Sequence, residues 1–236
     1  FLMICGINFN CMKNLINKIL VFDLDDTLID TQKIKKILFN YASNLGCSEK
    51  QIKSLYGEIR DTGFTLEKYA LVLSDAAHRS AAEILAEIRA EIVDHKDELV
   101  YKDAVEFLEL CKKIGIKLRL FTFGASTWQA EKIEFSGLNK YFDQAVSTDN
   151  EAKGKMDELG KIVGGGTGDE IVLFNDKLKE IVTALEQYPE MTAYLRPIRQ
   201  LDGELLQQID PALRERIEIL PNFRLLMTEV YDGVKR

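Results

Sequence analysis

Three carboxylates, Asp23, Asp25 and Asp26, follow the apolar run Ile19-Leu20-Val21-Phe22 and are themselves followed by Thr27. Clustered carboxylates repel unless a cation holds them, and hard oxygen donors with no Cys or His beside them suit Mg2+. His78 and His95 are the only histidines, and both read as surface or packing residues. Further along, Thr122 and the pair Asn175-Asp176 each end an apolar run, and two lysines, Lys153 and Lys155, lie between them. A metal held by Asp23 and Asp176 would leave positions open for water and substrate. With a hydroxyl at Thr122, an ammonium at Lys153 and a second carboxyl at Asp25, the set could handle a phosphoryl group.

The elements that must position these groups follow from pattern. An apolar run that breaks into acids reads as a buried parallel strand whose carboxyl end faces the ligand site of an open α/β sheet. Asp23 and Asp25 share a face only if the strand continues to Asp25, although a turn still lets both line one site. Residues 31–99 carry apolar positions at helical spacing, including Ile34, Ile37, Leu38 and Tyr41, with breaks expected at Gly46, Gly57 and Gly63. A helix from Ala104 to Cys111 should stop at Gly115. Strands are then expected at 116–123, 144–147, 171–174, 193–198 and 217–220, alternating with helices. Such alternation predicts a Rossmann-like α/β core, a parallel sheet with helices on both faces and right-handed crossovers, interrupted after its first strand by a helical insertion. The expected division is a core of 18–30 and 100–236, an insertion of 31–99, and an N-terminal segment of 1–17 left outside the functional argument. That segment starts at Phe1, with Met3 and Met12 as alternative beginnings.

Composition narrows the options. With 236 residues, 46% of them apolar, the chain can bury a substantial core. A net charge of −7 argues against a general nucleic-acid surface, since phosphate-backbone binding draws on clustered Lys and Arg. Cys5, Cys11, Cys47 and Cys111 show no Cys-x-x-Cys spacing and read as free thiols of a reducing cytoplasm. The apolar start is too short to span a membrane. The run Gly164-Gly165-Gly166-Thr167-Gly168 lacks the Lys-Ser or Lys-Thr of a phosphate loop and reads as a turn.

Asp23-Leu24-Asp25-Asp26-Thr27-Leu28 resembles the first motif, Asp-x-Asp-x-Thr after a hydrophobic strand, of the haloacid-dehalogenase-like (HAD) superfamily. Thr122, a lysine at 153 and Asp176 match the later motifs in order. The resemblance implies a phosphatase-type hydrolase in which Asp23 is the nucleophile and forms an aspartyl-phosphate, and Asp25 is the general acid and base. It implies that Thr122 holds phosphoryl oxygens and that Lys153 offsets charge. Mg2+ would be bound through Asp23, the Asp25 carbonyl and Asp176. The 31–99 insertion resembles the cap that closes over such sites and selects a small phosphorylated metabolite.

There are departures from the family pattern. Asn175-Asp176 and Glu180 stand where phosphatase members often carry Gly-Asp and a second Asp, and Lys153 precedes Gly154 where Pro is usual, with Lys155 as its competitor. Arg60, Lys68 and Arg79 are conceivable anion contacts in the insertion. Two alternatives remain beside the phosphatase: a sugar-phosphate mutase of the same family, and a non-catalytic regulator that binds a phosphometabolite. Dehalogenation is disfavoured, because Asp25 supplies an acid suited to an alkoxide leaving group. A phospho-receiver domain is disfavoured as well, because there the phosphorylated Asp follows a later strand.

Overall fold

In an extended strand, successive side chains go to opposite faces, so a strand buried on both sides must be apolar throughout. The computed structural model, which describes residues 15–148, 159–162, 171–197 and 206–234, bears this out for β1, Ile19–Phe22. Leu20 and Phe22 join one core with Leu118, Leu120, Val172, Phe174 and Tyr194. Ile19 and Val21 join a second with Phe121, Ile171, Leu173, Ala193 and Leu195. Helices therefore cover both faces of the sheet.

β1 is the third strand of a six-stranded, all-parallel sheet. It is flanked by β2, Lys117–Phe123, and β4, Ile171–Asn175; β3, Gln144–Thr148, lies outside β2, and β5, Thr192–Leu195, and β6, Ile217–Ile219, lie beyond β4. Phe22 is level with Leu120 on one side and Phe174 on the other. The chain leaving β1, β2 and β4 thus emerges at adjacent places on one sheet edge. Phe22 stacks on Phe174 with ring centroids 4.5 Å apart, and Phe174 stacks on Tyr194 at 5.0 Å, fastening three strands beneath that edge.

Between β1 and β2 run α1 (Thr31–Asn44), α2 (Glu49–Asp61), α3 (Leu66–Ala77), α4 (Ala81–Asp94), the single turn α5 (Lys96–Leu99) and α6 (Lys102–Ile114). Asp30 caps α1, accepting from the Gln32 and Lys33 amides, and Ser48 with Gln51 forms a capping box on α2. Gly46, Gly63 and Gly115 sit at positive φ and end helices as expected. Gly57 does not: it lies inside α2, where the buried Ile52 and Ile59 hold the helix through it. After β2 comes α7, Ser126–Phe135; α8, Leu178–Gln187, follows β4; α9, Pro211–Arg214, and α10, Arg224–Val234, flank β6.

The expected strand 193–198 is shorter than its apolar pattern, ending at Leu195. Arg196 still donates its amide to the Asn175 carbonyl at 2.9 Å while its side chain pairs with Asp103 at 3.0 Å, and it is Pro197, with no amide, that cannot continue the ladder. Residues 15–17, set aside in the sequence reading, form a turn with Leu15 buried against the core. The Gly-rich run and the cysteines at 5 and 11 lie outside the described residues. Cys47 and Cys111 are buried free thiols, and burial pushes Cys111 up to about 12. Among the described residues no helix is long and apolar enough to cross a membrane.

Candidate active site

The acids at the end of β1 divide by local geometry. The β1 ladder reaches Asp23, whose amide donates to the Phe174 carbonyl at 2.8 Å, and the chain then turns tightly. Leu28 and Ile29 amides both donate to the Leu24 carbonyl, and the Asp26 amide donates to Ile29 at 2.7 Å. Asp26 occupies the left-handed region at φ 59°, where a short polar side chain is tolerated because it can hydrogen-bond locally. Its carboxylate accepts from the Thr31 amide at 3.0 Å and from the Thr31 hydroxyl. Asp26 and Asp30 therefore build the turn and start α1, leaving Asp23 and Asp25 for other work. The strand does not persist to Asp25, so the two acids line the edge by way of the turn.

Asp23 is 3% exposed. Asp176, just past β4, has its carboxyl pushed up to about 7, first by burial and then by the Asp23 charge, with Asp26 and Glu180 adding and Lys177 opposing. Its Oδ1 is buried with no hydrogen-bond partner among the described residues. Two carboxylates raising each other's cost in a buried site fit a hard divalent cation. Among the described residues no group of three or more His, Cys, Asp or Glu forms a metal cage. A pair of carboxylates supplemented by backbone oxygen and water is how Mg2+ is commonly held.

On the other flank, Thr122 near the end of β2 is 1% exposed, and its hydroxyl has no hydrogen-bond partner among the described residues. Asn175 donates from its amide to Glu180 at 2.9 Å and accepts from the Lys177 amide at 2.8 Å. The two departures from the family pattern thus interlock and shape the turn that carries Asp176. Lys153 and Lys155 lie outside the described residues.

Two lysines went unnoticed in the sequence. Lys177 pairs with Glu180 at 3.3 Å; burial works against its charge, but Asp23, Glu180 and Asp176 outweigh that and hold its ammonium well above the usual lysine value. Lys132 on α7 is buried and grips Asp25, donating to Oδ1 and, at 2.6 Å, to Oδ2; Gln129 donates to Oδ2 at 3.2 Å. The buried face of α7 consists of Trp128, Gln129 and Lys132, so it has no apolar stripe of the kind that marks a buried helix face in a sequence.

Asp25, Gln129 and Lys132 open onto a cavity of about 770 Å3 between α7 and the helices α1 to α3. Tyr56, Phe64 and Trp128 line it together with Lys35, Arg60 and Lys68. Of the three cations singled out in the insertion, Arg60 and Lys68 line the cavity, Arg60 paired there with Asp61 at 2.9 Å and Lys68 donating to the Thr62 and Gly63 carbonyls, whereas Arg79 lies outside it, tied to Glu87 at 2.6 Å.

Fold and site together define an α/β protein of the Rossmann-like class with carboxylates gathered at the carboxyl edge of a parallel sheet. The family model of haloacid dehalogenase-like hydrolases matches residues 17–163, and the chain belongs to that family. Pyrophosphatase PpaX of Bacillus cereus is 29% identical over 142 residues, which cover 57% of this chain and 61% of PpaX. The chain thus matches less than two thirds of that relative's length. Among solved structures, a candidate beta-phosphoglucomutase of Thermotoga maritima is similar with a TM-score of 0.59 and 20% identity over 89% of this chain and 99% of that one. The HAD-type hydrolase YfnB of Bacillus subtilis, solved with magnesium bound, has a TM-score of 0.58 and 13% identity over 90% and 98%. At such identities the likeness shows the fold.

Proposed function

We propose that the chain is a Mg2+-dependent phosphohydrolase of a small phosphorylated metabolite, working through an aspartyl-phosphate on Asp23. The observation that carries this reading is the pairing of buried Asp23 with Asp176, whose carboxyl is driven up to about 7 by burial and by the Asp23 charge, while on the opposite flank of β1 the buried Thr122 hydroxyl has no hydrogen-bond partner among the described residues. Asp23 and Asp176, with the Asp25 carbonyl, would hold the Mg2+. When bound, the metal supplies charge stabilisation to the transferring phosphoryl group.

In the first step an Asp23 oxygen forms a bond to phosphorus while the bond to the leaving oxygen breaks, and Asp25 gives that oxygen a proton. In the second, Asp25 takes a proton from water as the water oxygen bonds to phosphorus and the bond between phosphorus and the Asp23 oxygen breaks, returning the carboxylate. Thr122 donates to a phosphoryl oxygen in both, and Lys153 offsets the accumulated negative charge. The division into a core of 18–30 and 100–236 and a cap of 31–99 belongs to the same reading: helices α1 to α3 wall the cavity into which the leaving group would project. A mixed aromatic and cationic wall suits a small metabolite carrying a further anionic group.

The test is phosphate release from a panel of sugar phosphates, other small phosphomonoesters and inorganic pyrophosphate, with and without Mg2+. The pyrophosphate arm is prompted by the PpaX relative. Turnover requiring Mg2+ and lost in Asp23→Asn is expected. Turnover that survives Asp23→Asn overturns the nucleophile; no turnover on any substrate overturns the enzymatic reading.

A further inference from the structure

We propose that Lys132 is the positioning residue of Asp25, fixing the carboxyl that exchanges a proton with the leaving oxygen; this rests on the role given to Asp25 above. An ammonium that is 4% exposed is costly to hold inside a protein unless a counter-charge meets it, and among the described residues its ion pair is with Asp25. An apolar side chain at this place on α7 would pack at lower cost. The lysine reaches both carboxylate oxygens, while Gln129 reaches only Oδ2. An ammonium has three donors on a rotatable head, so it can keep Oδ1 while Oδ2 carries the proton.

The surroundings are shaped for this grip. Gln129 also donates to the Phe123 carbonyl, and a Cβ built on Gly124, at φ 139°, would stand 2.5 Å from the Gln129 amide nitrogen. Only glycine leaves that amide in place without strain. α7 is fixed in turn from the side of the insertion: Arg89 on α4 donates from Nε to Glu131 at 2.8 Å and from its terminal nitrogen to Glu67 at 2.5 Å, and Phe64 lies 5.3 Å from Trp128. Asp25, Gln129 and Lys132 all line the same cavity, on the side from which a leaving group would approach.

A positioned general acid matters most where the leaving oxygen is strongly basic. The experiment measures kcat and KM for wild type, Lys132→Met and Asp25→Asn with glycerol 3-phosphate and with 4-nitrophenyl phosphate, alongside melting temperatures. For Lys132→Met, kcat should fall about 100-fold on the alkyl ester and less than about 10-fold on the nitrophenyl ester, with KM little changed. Asp25→Asn should show the same bias, more strongly. If Lys132→Met does not fold, Gln129→Leu serves in its place and should give a smaller loss with the same bias. Equal losses on the two esters, or none, overturn the positioning role while leaving the phosphohydrolase standing. If the wild type does not hydrolyse glycerol 3-phosphate, the alkyl phosphate it turns over best in the panel above takes its place; a wild type without turnover on the whole panel overturns the proposed function and this inference with it.

Discussion

Four aspartates within eight residues have four different surroundings. Asp23 is buried at the strand end, Asp25 is held by Lys132, Asp26 hydrogen-bonds Thr31 from a left-handed position, and Asp30 caps α1. Asp176 makes the electrostatic situation testable. Its raised carboxyl means that the metal-free native chain keeps a proton there that the unfolded chain has lost. The associated stability is present below the ordinary carboxylate range and is lost as pH rises through about 7. Asp176→Asn removes the titration, so the metal-free variant should gain about 2 kcal/mol relative to wild type between about pH 5 and pH 8, measured by urea denaturation. Added Mg2+ should raise the melting temperature of wild type at about pH 8 and not that of the variant. The acids and Thr122 were legible in the sequence because each ends an apolar run. Lys132 was not, because its partner lies 107 positions away and a lysine on a helix ordinarily faces solvent.

At the scale of elements, β1, β2, β3 and β4 were readable to within a residue or so, since buried parallel strands are short apolar runs. The misreadings have separate causes: Gly57 is carried within α2 by the packing of Ile52 and Ile59, and β5 ends because Pro197 has no amide to follow that of Arg196, whose side chain meets Asp103. That arginine, 7% exposed, lies between the rings of Tyr101 and Phe223 at 4.3 and 4.6 Å, and its partner Asp103 also accepts from the Phe223 amide at 2.9 Å. The cluster joins the end of β5 to the start of α6 and the approach to α10. Arg196→Met should leave a mostly buried carboxylate without its counter-charge and lower stability by about 3 kcal/mol in urea denaturation. The double variant with Asp103→Asn should recover part of that loss.

For the whole molecule, the sequence made a helical insertion evident from the gap between the first and second strands, but it did not reveal how the insertion is attached. The attachment is partly electrostatic, through Arg89 between Glu67 and Glu131, and partly aromatic, through Phe64 and Trp128. Because Arg89 is partly exposed, Arg89→Gln should cost only about 1 kcal/mol, and that cost should shrink at high salt. Hydrogen exchange should nevertheless quicken in α4 and α7 more than in β1 and β4. The same attachment holds α7 against the groups at the sheet edge, so the insertion and the proposed chemistry share one helix.

The central claim is that phosphoryl transfer passes through Asp23, and chemical trapping during turnover tests it most directly. Borohydride reduces an acyl phosphate to the alcohol, so quenching a working enzyme with borohydride and mapping its peptides by mass spectrometry should reveal homoserine at position 23. Homoserine at another aspartate, or an unaltered Asp23 in an enzyme that is releasing phosphate, would contradict the account.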